Sequence, residues 1–254
     1  MSETSSDPGA LAGEPLIAAL RRGFECVDTT VHAGGRAWRI LRPRKVDDLL
    51  DADAYERDGR IPYWAELWAS APVLADHLAR QPGRGRSLIE LGCGVGLLAL
   101  VAQAAGYRVI ATDYYAEALA FVRANFFLNQ LVPAPEVRLV DWRELPEDLP
   151  RADRIVAADV LYEAPLVPLI VDAIDRLLGP GGAATIADPG RSSAALLPER
   201  GRGRLRSRRP GDPRRGPGGA VDPPLHAPPS LKATTSRRRR RGPAKVVAAR
   251  AAGH

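Results

Sequence analysis

Cysteine is nearly absent: Cys26 and Cys93 are the only two among 254 residues. Two cysteines cannot make the disulfide framework of a small secreted domain. Four histidines (His32, His77, His226 and His254) fall at no ligand spacing, so no metal site is expected. No apolar run approaches the ~18 residues of a membrane span. The polar start M-S-E-T-S-S-D-P lacks the charged-then-apolar pattern of a signal peptide. A cytoplasmic protein without membrane partners is therefore expected. Aromatic residues are absent from the whole of residues 191–254. That segment has little with which to build a core.

Apolar residues make up 45% of the chain, which is ample for one α/β domain. The net charge of +6 conceals an asymmetry. Residues 191–254 hold 17 Lys/Arg against 3 Asp/Glu, or +14, which leaves −8 for the rest. An acidic globular sequence is joined to a basic one, and the two need separate explanations.

Residues 1–14 are rich in Ser, Gly, Pro and Glu and are expected to be disordered. Residues 15–61 read as an extension, with a short helix over Leu16–Arg21 and a hairpin through C-V-D-T-T-V-H-A-G-G-R-A-W-R-I-L-R. Pro62 is expected to open a helix, with a kink or a fresh start at Pro72. From residue 87 the pattern is regular: S-L-I-E-L, R-V-I-A-T-D, E-V-R-L-V-D-W, R-I-V-A-A-D-V-L-Y and A-A-T-I-A-D read as strands, separated by helical segments. Alternation of that kind predicts βαβ units and a Rossmann-like, doubly wound, mostly parallel sheet over residues 62–190.

The chemistry centres on E-L-G-C-G-V-G, Glu90–Gly96, at a strand-to-helix turn. Gly92, Gly94 and Gly96 allow a tight turn and close approach of a ligand. The dinucleotide pattern G-x-G-x-x-G fails because Leu97 holds the third glycine's place. Glu90 suits a cationic ligand better than a pyrophosphate, and S-adenosylmethionine carries both an ammonium and a sulfonium. Asp113, ending the second strand, can accept from two ribose hydroxyls. Asp141 and Trp142 end the third strand, where a ring can pack on adenine and a carboxylate can accept from its amino group. Asp159 and Tyr162 lie at the end of the fourth. Four strand ends thus carry ligand-type residues along one carboxyl edge, where open α/β sheets bind ligands. Each has a plainer alternative: a bare turn for Glu90 and the glycines, a helix N-cap for Asp113, core or rim aromatics for Trp68 and Trp142, and structural roles for Asp159 and Tyr162. Cys93 reads as a small filler of the turn.

P-Y-W-A-E-L-W-A-S-A, L-I-E-L-G-C-G-V-G-L-L, V-I-A-T-D, A-N-F-F-L-N, V-D-W and A-A-D-V-L-Y-E cover about half the chain. Together they resemble the class I, or seven-β-strand, S-adenosylmethionine-dependent methyltransferases. Within these they are similar to the protein-lysine methyltransferase group that includes the electron-transfer-flavoprotein β-subunit lysine methyltransferase. The resemblance implies that Gly92 and Gly94 line the methionine portion, Asp113 binds ribose and Trp142 lies beside adenine. It also implies that Ala158 lends backbone to the pocket floor, Trp68 closes the pocket, and Asp159 and Tyr162 face the methyl acceptor, with Asp159 orienting the amine.

Such a fold continues past its fifth strand with a helix and an antiparallel hairpin, and nothing after Gly190 is expected to supply them. Residues 191–254 read instead as a disordered Arg/Pro/Gly-rich tail. It is either a polyanion-binding extension, acting through counterion release, or the product of a shifted reading frame in G+C-rich DNA. The function expected is methyl transfer from S-adenosyl-L-methionine, without a metal, to a protein lysine. The alternatives are a small-molecule N-methyltransferase on the same scaffold, a nucleic-acid-binding protein acting through its tail, and an inactive pseudo-enzyme. The sequence leaves the acceptor and the oligomeric state open.

Overall fold

The computed structural model describes residues 11–46, 49, 61–197 and 245–250. Residues 1–10 and 198–244, on which the expectations of disorder largely rest, lie outside the described residues. An N-terminal helix α1 (Gly13–Gly23) precedes an antiparallel hairpin of β1 (Cys26–Ala33) and β2 (Arg36–Pro43). The helix starts two residues inside the segment expected to be disordered, because Leu16, Ile17 and Leu20 have a core to enter.

The long helix expected from Pro62 is divided. Tyr63–Ala65 make one 3-10 turn, Glu66 is extended, and α2 (Ser70–Ala79) begins afresh. Pro72 falls in the first turn of α2, where its missing N–H breaks no helical hydrogen bond.

The main sheet contains β3 (Ser87–Leu91), β4 (Arg108–Asp113), β5 (Glu136–Leu139), β6 (Ala152–Ala158) and β7 (Leu178–Asp188). A sixth strand is β8 (Lys245–Arg250). The order is β5-β4-β3-β6-β7-β8, with the first five parallel. Helices α3 (Leu97–Ala104), α4 (Ala116–Leu128) and α5 (Leu166–Leu177) make the crossovers. Alternate strand residues face opposite sides: Leu88 joins a core with α2, α3, α4 and the hairpin, while Ile89 joins one with α5.

Two expectations about the C-terminal side need correction. Lys245–Arg250 pair antiparallel with Ala183–Asp188, so β7 is not left with an open edge there. The run K-V-V-A-A-R is too short to announce a strand alone, and its partner lies far back in the sequence. Residues 191–197 are also ordered into the domain. Ser192–Leu196 form a 3-10 turn, the Ser193 hydroxyl donates to the Leu161 carbonyl, and Leu197 is buried. The ordered domain therefore runs past 190.

Candidate functional site

The chain leaves β3 for β4 and β5 on one side, then returns to place β6 on the other. At that reversal the loops after β3 and β6 diverge and open a crevice. A cleft of about 320 Å³ occupies this position.

The turn from β3 into α3 forms one end. Gly92 and Gly94 have φ of +68° and +51°. A Cβ on Gly92 would meet Val160 at 3.1 Å and the Trp142 ring at 3.3 Å, and one on Gly94 would meet the Trp64 carbonyl oxygen at 2.9 Å. Both conformation and space therefore exclude a side chain. The neighbouring strand pins the turn: Cys93 N donates to Thr112 O (2.9 Å) and Gly94 N to Asp113 Oδ2 (2.9 Å). Asp113 also accepts from Tyr115 N at 3.1 Å, so it orders the start of α4 while lining the cleft. Burial raises its pKa to about 6 against the lowering effect of those amides.

Glu90 is 2% exposed, and its Oε2 has no hydrogen-bond partner among the described residues. Burial drives its pKa well above the ordinary carboxylate value, and the Ala99 amide only partly opposes this. A carboxylate oxygen left unsatisfied beside a cavity is costly unless a ligand donor or cation completes it. Cys93 is also buried, and desolvation pushes its thiol pKa up, which suits a filler and not a nucleophile.

Beyond β5 the Trp142 ring forms a wall against Gly92. Asp141 lines the cleft, but its carboxylate is held by Arg143 through contacts of 2.6–3.0 Å. That guanidinium in turn lies 5.9 Å from the Tyr114 ring centroid.

At the opposite end Trp68 Nε1 donates to the Tyr63 carbonyl at 3.0 Å. The Tyr63 ring stands edge-on to both Trp68 (5.6 Å) and Tyr162 (5.2 Å). Asp159 adopts φ +59°, rare for a residue with a side chain and a form of strain concentrated at functional sites. Its Oδ2 accepts from Ser70 N at 3.0 Å, at the start of α2. Its Oδ1 accepts from Arg191 Nη1 at 2.9 Å, and the same nitrogen reaches Asp188 Oδ2 at 2.8 Å. Arg191 also sits 5.7 Å from the Trp68 ring centroid. Burial raises the pKa of Asp159, while Arg191 acts to lower it.

Trp68, Glu90, Gly92, Gly94, Asp113, Asp141, Trp142, Ala158, Asp159 and Tyr162 all line this one cleft. Gly96 does not. It begins α3 at φ +88°, where a Cβ would meet Val122 at 3.0 Å, so its glycine serves helix packing. Asp159 and Asp141 differ from expectation in already having cationic partners. Arg191 and Tyr63 were missed. Their signals were present, as D-P-G-R at the end of the fifth strand and Y-W before the W-A-S-A segment, but the first lay across the boundary assigned to the tail. Among the described residues no group of three His, Cys, Asp or Glu could hold a metal, and no helix is long and apolar enough to cross a membrane.

A glycine turn after the first strand, a carboxylate ending the second, and an aspartate and a tyrosine after the fourth, on a 3-2-1-4-5 parallel sheet, define a class I S-adenosylmethionine-dependent methyltransferase fold. The chain belongs to the lysine methyltransferase family, whose model matches residues 55–194. Over 132 residues it is 33% identical to mouse protein-lysine methyltransferase METTL21E, covering 47% of this chain and 54% of that protein. It is 31% identical over 131 residues to the human electron transfer flavoprotein beta subunit lysine methyltransferase, covering 50% and 48%. A third relative, mouse histone-arginine methyltransferase METTL23, is 29% identical over 170 residues, covering 64% and 59%. The chain spans about half the length of the first two relatives. Among solved structures, the Thermus thermophilus 16S rRNA N2 G1207 methyltransferase with AdoMet and guanosine superposes with a TM-score of 0.50 at 18% identity, over 64% of this chain and 42% of that one, a likeness of fold alone.

Proposed function

We propose that the protein transfers a methyl group from S-adenosyl-L-methionine to a lysine side chain of a protein substrate. The observation that carries this is a single cleft with an unsatisfied buried carboxylate, Glu90, at one end and an aromatic mouth, Tyr63, Trp68 and Tyr162, at the other. Glu90 and the Gly92–Gly94 backbone would hold the methionine portion, Asp113 the ribose and Trp142 the adenine. Asp141, already bound by Arg143, would contribute to the adenine end as part of that pair, and Ala158 would lend backbone to the floor. When bound, the cofactor supplies an activated methyl on a sulfonium, so the protein's task is alignment.

The acceptor must arrive as a free amine, although a lysine in water has a pKa of about 10.4. The aromatic walls disfavour the ammonium by desolvation. Asp159 would otherwise hold the ammonium, but Arg191, shared with Asp188, offsets part of its charge. A carboxylate has about four acceptor sites. Asp159 therefore retains capacity to orient an N–H, and Tyr162 would shape the channel.

Family membership and the names of two relatives support lysine as the acceptor. The test is to titrate the chain with S-adenosylmethionine, incubate it with labelled cofactor and cell protein, and hydrolyse the product. Label in methyl-lysine supports the proposal. Label in methyl-arginine or in small molecules moves the acceptor elsewhere, and absence of cofactor binding sinks the enzymatic reading. Salt-sensitive RNA binding without methyl transfer would favour the rival in which the Arg-rich segment is the working part. The cysteine usage supports a cytoplasmic location, which cell fractionation checks.

A further inference from the structure

The side chains of Asn125 and Asn129 stand one turn apart at the C-terminal end of α4 and face the free edge of β2. Asn125 Oδ1 accepts from Leu41 N at 2.7 Å and its Nδ2 donates to Leu41 O at 3.0 Å. Asn129 repeats the pattern two residues along, accepting from Arg39 N at 3.0 Å and donating to Arg39 O at 2.7 Å. The two carboxamides thus act as a side-chain strand, pairing alternate residues of an edge that would otherwise be buried with its polar groups unmet.

The two differ in one further bond. Asn125 Nδ2 also donates to Val95 O at 2.9 Å, inside the glycine turn and just before α3. The second donation of Asn129 goes to Asn125 O, within its own helix, at 2.8 Å. Asn125 is fully buried, so each bond lies in a medium where losing it leaves an unmet group. Leu41 is likewise fully buried, which leaves the strand no freedom to turn away.

We infer that Asn125 is a positioning residue that couples the N-terminal hairpin to the cofactor turn. The hairpin thereby becomes part of the binding machinery, although none of its residues lines the cleft. Val95 is flanked by Gly94 and Gly96, both at positive φ, so the turn has little stiffness of its own and depends on the outside bonds that hold it. Those bonds come from Thr112 O on Cys93 N, Asp113 on Gly94 N and Asn125 on Val95 O, one on each of three successive residues.

This inference rests on S-adenosylmethionine being the ligand of the turn. The test compares two near-isosteric variants by calorimetry with that compound. Asn125→Asp and Asn129→Asp each keep the acceptor for the strand amide and lose the donated bonds, so both should loosen the hairpin and lower Tm. Only Asn125→Asp should weaken cofactor binding, by about tenfold, the size of one lost buried hydrogen bond, with Asn129→Asp within about threefold of wild type. Equal losses in the two variants, or none in Asn125→Asp, overturn the coupling. Because Asn125→Asp could fail to fold, the wild-type chain supplies a second readout. Coupling is reciprocal, so cofactor should slow hydrogen exchange at the Leu41 amide along with that of the turn. Unchanged exchange at Leu41 while the turn is protected overturns the inference. Failure of the wild type to bind cofactor at all would instead remove the proposed function on which it stands.

Discussion

The two ends of the cleft are built in different ways. The end proposed for the cofactor is largely local: Glu90 lies near the end of β3, Gly92 and Gly94 follow in the turn, Asp113 ends the adjacent strand, and Trp142 is added from after β5. The end proposed for the acceptor draws Tyr63 and Trp68 from before α2 and Asp159 and Tyr162 from after β6, with Arg191 from after β7 bonded to Asp159. A ligand common to a whole fold can be held by one turn. Side chains drawn from several loops can differ between proteins on one fold more readily than a single turn can.

Breaking the cofactor end should have the largest effect. Gly94→Val places a branched side chain at φ +51° against the Trp64 carbonyl. Strain and overpacking of about 3 kcal/mol should weaken S-adenosylmethionine binding roughly a hundredfold, as read by calorimetry. Retained affinity would show that the turn is not the binding element.

At the opposite end Arg191→Ala leaves Asp159 and Asp188, with side chains 3% and 2% exposed, without their shared cation. Removing one partner of a buried pair costs about 3 kcal/mol, so Tm should fall and methyl transfer decline. Cofactor affinity should stay within about threefold of wild type, since Arg191 touches nothing in the turn. An equal loss of cofactor affinity would show that the two ends are not separable. Arg191→Lys should restore part of the stability but not the two-carboxylate geometry.

The pH dependence sharpens the same contrast. To accept from both ribose hydroxyls Asp113 must be ionised, and burial sets its pKa at about 6 in the free protein. Cofactor affinity should therefore be full above that value and fall by up to about tenfold per unit as pH drops through it. Because the folded pKa is raised above the unfolded one, the same group adds stability to the cofactor-free fold at low pH. That contribution is lost as pH rises through about 6. Calorimetry across pH 5–8 should show proton release on binding, and its absence near pH 6 would remove Asp113 from the ribose site.

The smallest effect belongs to Tyr162, which is 39% exposed and rests edge-on against Tyr63. Tyr162→Ala should lower kcat/KM for the protein acceptor about fivefold, with cofactor affinity unchanged. A loss confined to cofactor binding would move Tyr162 out of the acceptor channel.

Much of this was legible because it depends on neighbours in the chain. Five strands alternating with helices imply the parallel sheet, and E-L-G-C-G-V-G implies the turn, since periodicity and glycine conformations are local properties. Gly96 shows the limit: the motif names three glycines, but only packing against Val122 reveals that the third serves a helix contact and not the cleft. Arg191 shows the converse. It begins a segment whose composition suggests a tail, yet two buried carboxylates hold it in the domain.

The sequence by itself determined the sheet, the strand ends that bear ligand-type residues, and the family, because each follows from short-range pattern. The tertiary structure alone decided that Asp159 is paired to Arg191, that β8 closes the edge of β7, and that Asn125 ties a distant hairpin to the cofactor turn. Those are contacts between segments far apart in the chain. Composition and periodicity cannot encode which buried polar group will find which partner, whereas the cost of leaving one unmet selects the fold in which each does.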